Sequence, residues 1–173
     1  MATSHNGGNI LECVDSSFLR LVDQAHFMAV LASLGAAFFL KDKKWTAFAL
    51  AVSVFYFIPV YFHCEIKLMD PEFIWRYVIW TLNTCAASAV IYTLMKKELV
   101  YFKQALVFIS LSVAEIALQA FRLVDIHFFN VEYSTLIYKS GMPTLNNLVV
   151  ICCYLPLVII GYRNIQKWIY RSH

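Results

Sequence analysis

The sequence predicts an all-α integral membrane protein, a bundle of five transmembrane helices with its N-terminus outside and its C-terminus in the cytoplasm. Composition is the first observation: 61% of the 173 residues are hydrophobic and 14% are charged, whereas a soluble domain is about 45–50% apolar and about 25% charged. Apolar runs of about 18 residues or more recur along the chain. Basic residues cluster in alternate connections. Outside the runs, no segment is long enough for a separate soluble domain.

Five apolar segments have the length of a membrane span. The predicted spans are residues 18–40, 45–62, 73–95, 101–123 and 145–162. Residues 1–17 are polar and have no basic n-region, so we interpret them as a mobile extracytoplasmic tail and not as a cleavable signal peptide. Residues 163–173 form a basic, aromatic cytoplasmic tail. The spans account for most of the chain.

The first three spans contain features that bear on helix packing. Ala29, Ser33 and Ala37 lie four residues apart in the first span, and small residues at this spacing let a neighbouring helix approach closely. In the second span, Pro59 removes one backbone donor and is expected to bend the helix. Asn83 lies well inside the third span. An unpaired amide is costly in hydrocarbon, so we expect Asn83 to have a partner.

The segment 124–144 is too apolar for a solvated loop and too interrupted to cross the bilayer. We predict that it lies in the membrane interface or re-enters the bilayer. Within it, the sequence Ser140-Gly141-Met142-Pro143 is typical of a turn. The fifth span is therefore expected to begin only at residue 145.

The distribution of lysine and arginine predicts the orientation. With five spans, nine of these residues fall on one side of the membrane: Lys41, Lys43, Lys44, Lys96, Lys97, Lys103, Arg163, Lys167 and Arg171. The other five, Arg20, Lys67, Arg76, Arg122 and Lys139, fall on the opposite side. The positive-inside rule makes the first side cytoplasmic. The sequence has no N-x-Ser/Thr sequon, which fits a bacterial inner (plasma) membrane.

The fourth span carries a polar stripe, which we call the polar seam. At 100° per residue, four of its side chains fall within roughly 80° of one another; they are Ser112, Glu115, Gln119 and Arg122. Lipid cannot solvate such a stripe, so other helices must cover it or leave a wet cavity beside it. Arg76 and Asn83 of the third span are expected to line the same seam.

Glu115 is the sharpest functional candidate, because it lies roughly 15 Å deep, near the bilayer centre. Acids at this depth occur in proton and cation pathways. The alternative is a neutral or paired acid that joins helices by bonding to Asn83, Asn147 or a neighbouring subunit. The sequence does not decide between these two interpretations.

A second set of polar residues is expected at the outer face. It comprises Asp23, His26, His63, Asp125 and His127. Such a cluster could serve a membrane-bound redox or lipid-modifying enzyme, and His26 with His63 could in principle ligate haem. No catalytic or metal-binding motif is present, so no cofactor and no metal site are predicted. Cys13 and Cys64 fall on the same outer side, where a disulfide between them is possible.

One short stretch resembles a known family. Arg76-Tyr77-x-x-Trp80, followed by Thr84, is similar to the third helix of microbial rhodopsins. In this chain Ile79 stands where that family has an acidic counter-ion, and no lysine lies in the predicted last span to hold retinal. The resemblance implies no photochemistry here.

These observations favour a non-enzymatic multi-pass membrane subunit. We expect an ion or small-solute pathway (a channel or transport role) or a membrane sensor, built around the polar seam. Five helices are few to enclose such a seam, so we expect a homo-oligomer or another membrane subunit as partner, besides the lipid bilayer. An outer-face enzyme and an assembly scaffold are the alternatives. The net charge of +3 is too small and too scattered to suggest nucleic acid.

Overall fold

A computed structural model describes residues 17–70, 74–129 and 132–171. Side chains are described in these ranges except at 17–23, 63–64, 67–69, 132–133, 163–165 and 167–171. The chain forms the helices α1 (Ser17–Phe39), α2 (Lys43–Met69), α3 (Trp75–Lys96), α4 (Phe102–Val124) and α5 (Glu132–Arg171), with a π-helix (Asp125–Phe129) between α4 and α5. The predicted tail and Cys13 lie outside the described residues, as does the side chain of Cys64.

The described chain is an all-helical bundle with four to five helices able to span a membrane, as the sequence predicts. Four apolar segments are long enough: Lys43–Phe62, Trp75–Lys96, Phe102–Phe129 and Ser134–Tyr162. In α1 the described apolar part is the shorter Gln24–Phe39. Large apolar side chains cover the outside of the bundle, for example Phe39 (85% exposed) and Val113 (60% exposed). A surface of this kind is suited to lipid.

The five helices form a ring in chain order. Each helix packs against the next, and α5 packs back against α1. The α1–α2 and α3–α4 turns are tight, and each passes through one residue with positive φ, Lys41 and Glu98. Asp42 caps α2 by accepting a hydrogen bond from the Trp45 backbone N–H at 3.0 Å.

The half of the ring next to these two turns is filled by an apolar core. Its largest buried members are Phe48, Ile91 and Phe108, and it reaches Val100 in the α3–α4 turn. The sequence explains this filling, because the facing positions of α2, α3, α4 and α5 in this half are apolar or small. The opposite half of the ring is not filled in this way.

Two prolines inside helices each leave one backbone carbonyl without its helical donor. In both cases an amide side chain from another helix donates to that carbonyl instead. Pro59 cannot donate to the carbonyl of Phe55, and Asn83 of α3 donates its Nδ2–H to that oxygen at 3.1 Å. The expectation that Asn83 has a partner is confirmed. Pro156 likewise leaves the carbonyl of Cys152 without its helical donor, and Gln104 of α4 donates to it at 3.0 Å.

Helix α2 ends seven residues later than the predicted span. The sequence after Phe62 has no breaker before Asp70-Pro71, so the helix continues to Met69. Asp70 then begins the next helix by accepting hydrogen bonds from the backbone N–H groups of Ile74 (3.0 Å) and Arg76 (2.8 Å). Burial raises the pKa of the Asp70 carboxyl, but these backbone donors and the Arg76 charge outweigh it and hold the pKa below the usual 3.8.

The turn predicted at Ser140-Gly141-Met142-Pro143 is wrong, because α5 runs through these residues as one helix. Hydroxyl groups support the helix near Pro143: Ser140 donates to the Leu136 carbonyl and Thr144 to the Ser140 carbonyl, both at 2.8 Å. The separate segment 124–144 therefore does not exist as such. Whether its residues lie in the membrane interface stays a prediction.

Gly141 permits a close approach of α5 to α4. A Cβ atom at position 141 would lie 2.8 Å from Cδ2 of Leu118, whereas one at Gly35 in α1 would meet nothing within 4 Å. We expect Gly141→Leu to lower the free energy of unfolding by about 1–3 kcal/mol, since the Leu118 side chain and the packing around it must shift to make room for the larger residue. Gly35→Leu is the matched control and should be neutral or stabilising, because it only replaces a poor helix former. Unfolding in mixed detergent and dodecyl sulfate micelles measures both, and equal effects would contradict the close contact.

Candidate functional site: an intramembrane cavity

A cavity of about 550 Å³ lies in the unfilled half of the ring. All five helices contribute to its wall. The apolar and aromatic lining residues are Val52, Phe55, Tyr56, Pro59, Val60, Trp80, Ala87, Phe108, Tyr138, Met142, Pro143 and Val149. The remaining lining residues are polar: His26, Asn83, Thr84, Ser112, Glu115, Gln119, Lys139 and Asn146. A largely apolar pocket with a few polar groups is the usual form of a small-molecule site.

Helix α4 turns its polar stripe toward this cavity. Ser112, Glu115 and Gln119 line it, and their exposed fractions are only 1%, 8% and 2%. Val113, on the opposite side of the same helix, is 60% exposed. The spacing of three and four residues places the three polar side chains on one face of the helix. A single chain thus covers these residues, so the need for a second subunit to shelter them no longer follows.

The fourth residue of the seam, Arg122, lies beyond the cavity. It forms an ion pair with Asp125 at 3.1 Å and also donates to the Ser134 hydroxyl. Ser134 in turn donates to Asp125. These contacts tie the start of α5 to the end of α4, which is a structural role for Arg122.

Arg76 also lies outside the cavity wall. Its guanidinium lies 5.0 Å from the centre of the Tyr77 ring and donates to the Tyr77 hydroxyl at 3.3 Å. The Tyr77 ring packs edge-on against Tyr138, with 5.6 Å between centroids. Of the two third-helix residues expected in the seam, Asn83 therefore lines the cavity and Arg76 does not.

Glu115 has few partners in the cavity wall. The Thr84 hydroxyl lies near its carboxyl group. The partners expected from the sequence are engaged elsewhere, since Asn83 bonds to Phe55 and Asn147 bonds to His26. Among the side chains that the structure describes, no ion pair reaches Glu115. The carboxyl group is therefore available to a molecule in the cavity.

The His26 side chain lies inside the helix ring and not on the outside of the ring. Its Nε2–H donates to Oδ1 of Asn147 at 2.9 Å, and in the neutral imidazole this leaves the lone pair on Nδ1. Nδ1 is buried and has no hydrogen-bond partner among the described residues. His26 is only 8% exposed and lines the cavity. It is thus a second group with unused hydrogen-bonding capacity there.

Three of the five residues of the expected outer-face cluster have described side chains, and each of these contacts a group outside the cluster or its partner Arg122. His26 contacts Asn147 inside the ring, Asp125 pairs with Arg122, and His127 is exposed, with Nδ1 2.9 Å from the carbonyl oxygen of Leu123. The side chains of Asp23 and His63 lie outside the described residues. Within the described part of the chain, no three His, Cys, Asp or Glu side chains are grouped as a metal site would require. The cluster as a whole stays a prediction.

Sequence reasoning missed the contribution of α5 to the cavity. Tyr138, Met142, Asn146 and Val149 recur at helical spacing, and all four line the cavity. This periodicity was available, but the turn predicted at residues 140–143 interrupted it. Lys139 was missed for the same reason: it lies in the apolar segment Ser134–Tyr162. The apolar part of α5 therefore does contain a lysine, while Ile79 still departs from the rhodopsin pattern.

The comparisons with known proteins were made for the whole chain. No family model, no curated protein and no solved structure matches it.

Proposed function

We propose that this chain is a membrane protein that binds a small amphipathic molecule in the cavity inside its helix ring, as a sensor or as part of a solute pathway. The cavity volume of about 550 Å³ is the observation that supports this proposal. It has the size of a small-molecule site, and protein binding sites of this kind combine apolar walls with a few convergent polar groups.

The apolar core favours binding over an open channel. Phe48, Ile91 and Phe108 are buried in the half of the ring beside the α1–α2 and α3–α4 turns. An ion would have to cross this largely apolar core, where Oε1 of Gln104 is an isolated buried acceptor, and losing its hydration there costs far more than thermal energy supplies. Release of a solute toward that side would need helices to move, as in a carrier or a sensor that changes shape.

We propose the orientation that the sequence predicts, with the N-terminus outside and the C-terminus in the cytoplasm of a bacterial inner membrane. Nine of the fourteen basic residues support it. The cavity then lies in the outer half of the bilayer and the apolar core in the cytoplasmic half. A homo-oligomer is not needed to cover Glu115; the mass of the detergent-solubilised particle measures the oligomeric state independently.

A neutral probe tests the cavity without any assumption about charge. We expect tritiated 1-naphthylmethanol to bind saturably to the purified protein in a scintillation proximity assay. Val60→Trp should remove this binding, because Val60 lines the cavity and the larger side chain occupies it. Filling an existing void should leave the free energy of unfolding near the wild-type value or above it.

Val113→Trp is the matched control, since Val113 faces away from the ring and is 60% exposed. It should bind the probe like the wild type. Saturable binding that survives in Val60→Trp, or no saturable binding in the wild type, would contradict the proposed function.

A further inference from the structure

We propose that the cavity takes an organic cation, a protonated amine carried on an aromatic or aliphatic body. This inference rests on the proposed function, because it names the ligand class of the same cavity. It depends on which polar groups in the wall still have unused hydrogen-bonding capacity.

Glu115 and His26 offer unused acceptors in the wall. A carboxylate has about four acceptor sites when it is ionised, the Thr84 hydroxyl lies near that of Glu115, and an ammonium ion bound beside the carboxyl group would favour its ionised form. Nδ1 of His26 is a buried acceptor without a partner among the described residues. A ligand that fills both must donate hydrogen bonds, and an ammonium group has donors but no acceptor.

Three other polar side chains of the wall each have one group engaged. Gln119 accepts from the Thr81 hydroxyl at 2.8 Å, and Asn83 donates to the Phe55 carbonyl at 3.1 Å. Oδ1 of Asn146 lies 3.5 Å from the Tyr56 hydroxyl. Recognition of the ligand head therefore falls mainly on the carboxyl group and the imidazole.

The rest of the wall suits the body of such a ligand. Phe55, Tyr56, Trp80, Phe108 and Tyr138 all line the cavity. Aromatic faces attract cations, by about 2 kcal/mol or more when both are removed from water. They also accept apolar surface without needing a polar partner. The head of an anion of the same shape would gain no cation–π attraction from these rings and would be repelled by the ionised carboxylate of Glu115.

Lys139 is the opposing charge in the wall. It is exposed while Glu115 is buried, so it lies where the cavity reaches the surface of the ring. The contacts Leu118–Gly141 and Gln104–Cys152 show that α4 and α5 are antiparallel, which places Lys139 closer than Glu115 to the α4–α5 connection. Its long stem lets the ammonium group point toward water. Arg76 contacts the Tyr77 ring, which packs against Tyr138.

Three ligands with one body and three heads test the inference: tritiated 1-naphthylmethylammonium, 1-naphthylmethanol and 1-naphthoate. We expect the ammonium ion to bind the wild-type chain at least about tenfold more tightly than the alcohol, since charge-assisted hydrogen bonds are about twice as strong as neutral ones. The carboxylate should bind most weakly. This ranking needs no variant, so it does not depend on the folding of a mutant.

Glu115→Gln keeps the shape of the side chain and removes its charge. It should lower the affinity for the ammonium ion about tenfold or more and change that for the alcohol by less than about twofold. Glu98→Gln is the control, because Glu98 is an exposed acid in the α3–α4 turn; it should change neither affinity.

The outcomes separate the two proposals. Equal affinities for the ammonium ion and the alcohol, or an ammonium affinity that Glu115→Gln leaves unchanged, would overturn the cation inference while the cavity function stands. Tightest binding of the carboxylate would also overturn it and would assign the recognition to Lys139. If none of the three ligands binds saturably, the cation inference and the proposed function both fail.

Discussion

Replacing Trp45 with alanine is expected to lower the free energy of unfolding by about 3–5 kcal/mol, the largest effect we predict for a single substitution. Trp45 is completely buried beside Ala37 and Ala49. Its Nε1–H lies 2.7 Å from the carbonyl oxygen of Cys153 and 3.1 Å from the Ser33 hydroxyl oxygen. Alanine removes both the packing and the donor that ties α2 to α5.

Two further variants serve to separate the contribution of the hydrogen bond from that of packing and to provide a control. Trp45→Phe keeps most of the packing but loses the donor, so it should cost about 1–3 kcal/mol. Trp75→Ala is the matched control, because Trp75 is 64% exposed and should change the free energy of unfolding by about 0.5 kcal/mol or less. Titration from detergent into dodecyl sulfate measures all three. If Trp45→Ala and Trp75→Ala lowered the free energy of unfolding by similar amounts, Trp45 would not be a buried contact that holds α2 against α5.

Asn83→Leu is expected to cost about 1–3 kcal/mol, and this cost should depend on Pro59. The substitution leaves the Phe55 carbonyl without the donor that it has in the native bundle. In the Pro59→Ala background, the new backbone N–H of residue 59 donates to that carbonyl. The cost of Asn83→Leu should therefore fall by at least about 0.5–1 kcal/mol in a double-mutant cycle.

Pro156→Ala provides the control for this cycle. The carbonyl that Pro156 leaves open belongs to Cys152 and is bonded by Gln104. Asn83→Leu and Pro156→Ala should therefore be additive within about 0.3–0.5 kcal/mol. Coupling of the same size with both prolines would mean that Asn83 does not act through the Phe55 carbonyl.

The polar face of the site could be predicted from the sequence because it depends on helical periodicity alone. Ser112, Glu115 and Gln119 recur at a spacing of three and four residues, and lipid excludes such a stripe wherever the other helices lie. The need of Asn83 for a partner follows in the same way from the free-energy cost of an unpaired amide in hydrocarbon. Its partner could not be predicted, since the open Phe55 carbonyl becomes visible only when α2 and α3 are placed side by side.

The remaining features depend on packing between distant segments. Gly141 and Pro143 are typical of a turn in isolation, yet Gly141 serves the contact with Leu118 and the helix continues. A tryptophan that follows lysines at the end of a span is typical of a membrane interface, whereas Trp45 is buried by Ser33 and Cys153. In both cases the neighbour that decides the outcome lies more than ten residues away along the chain.

The bonds to Cys152 and Cys153 also bear on how the protein is made. Ser33, Trp45 and Gln104 leave the ribosome before the carbonyl oxygens that they contact in α5. During synthesis, the first four helices must hold these donors without their final acceptors, in a medium that offers no water in exchange. Insertion of α5 supplies the missing acceptors and completes these hydrogen bonds. A biogenesis factor that shields polar groups within the bilayer would be needed only until that step.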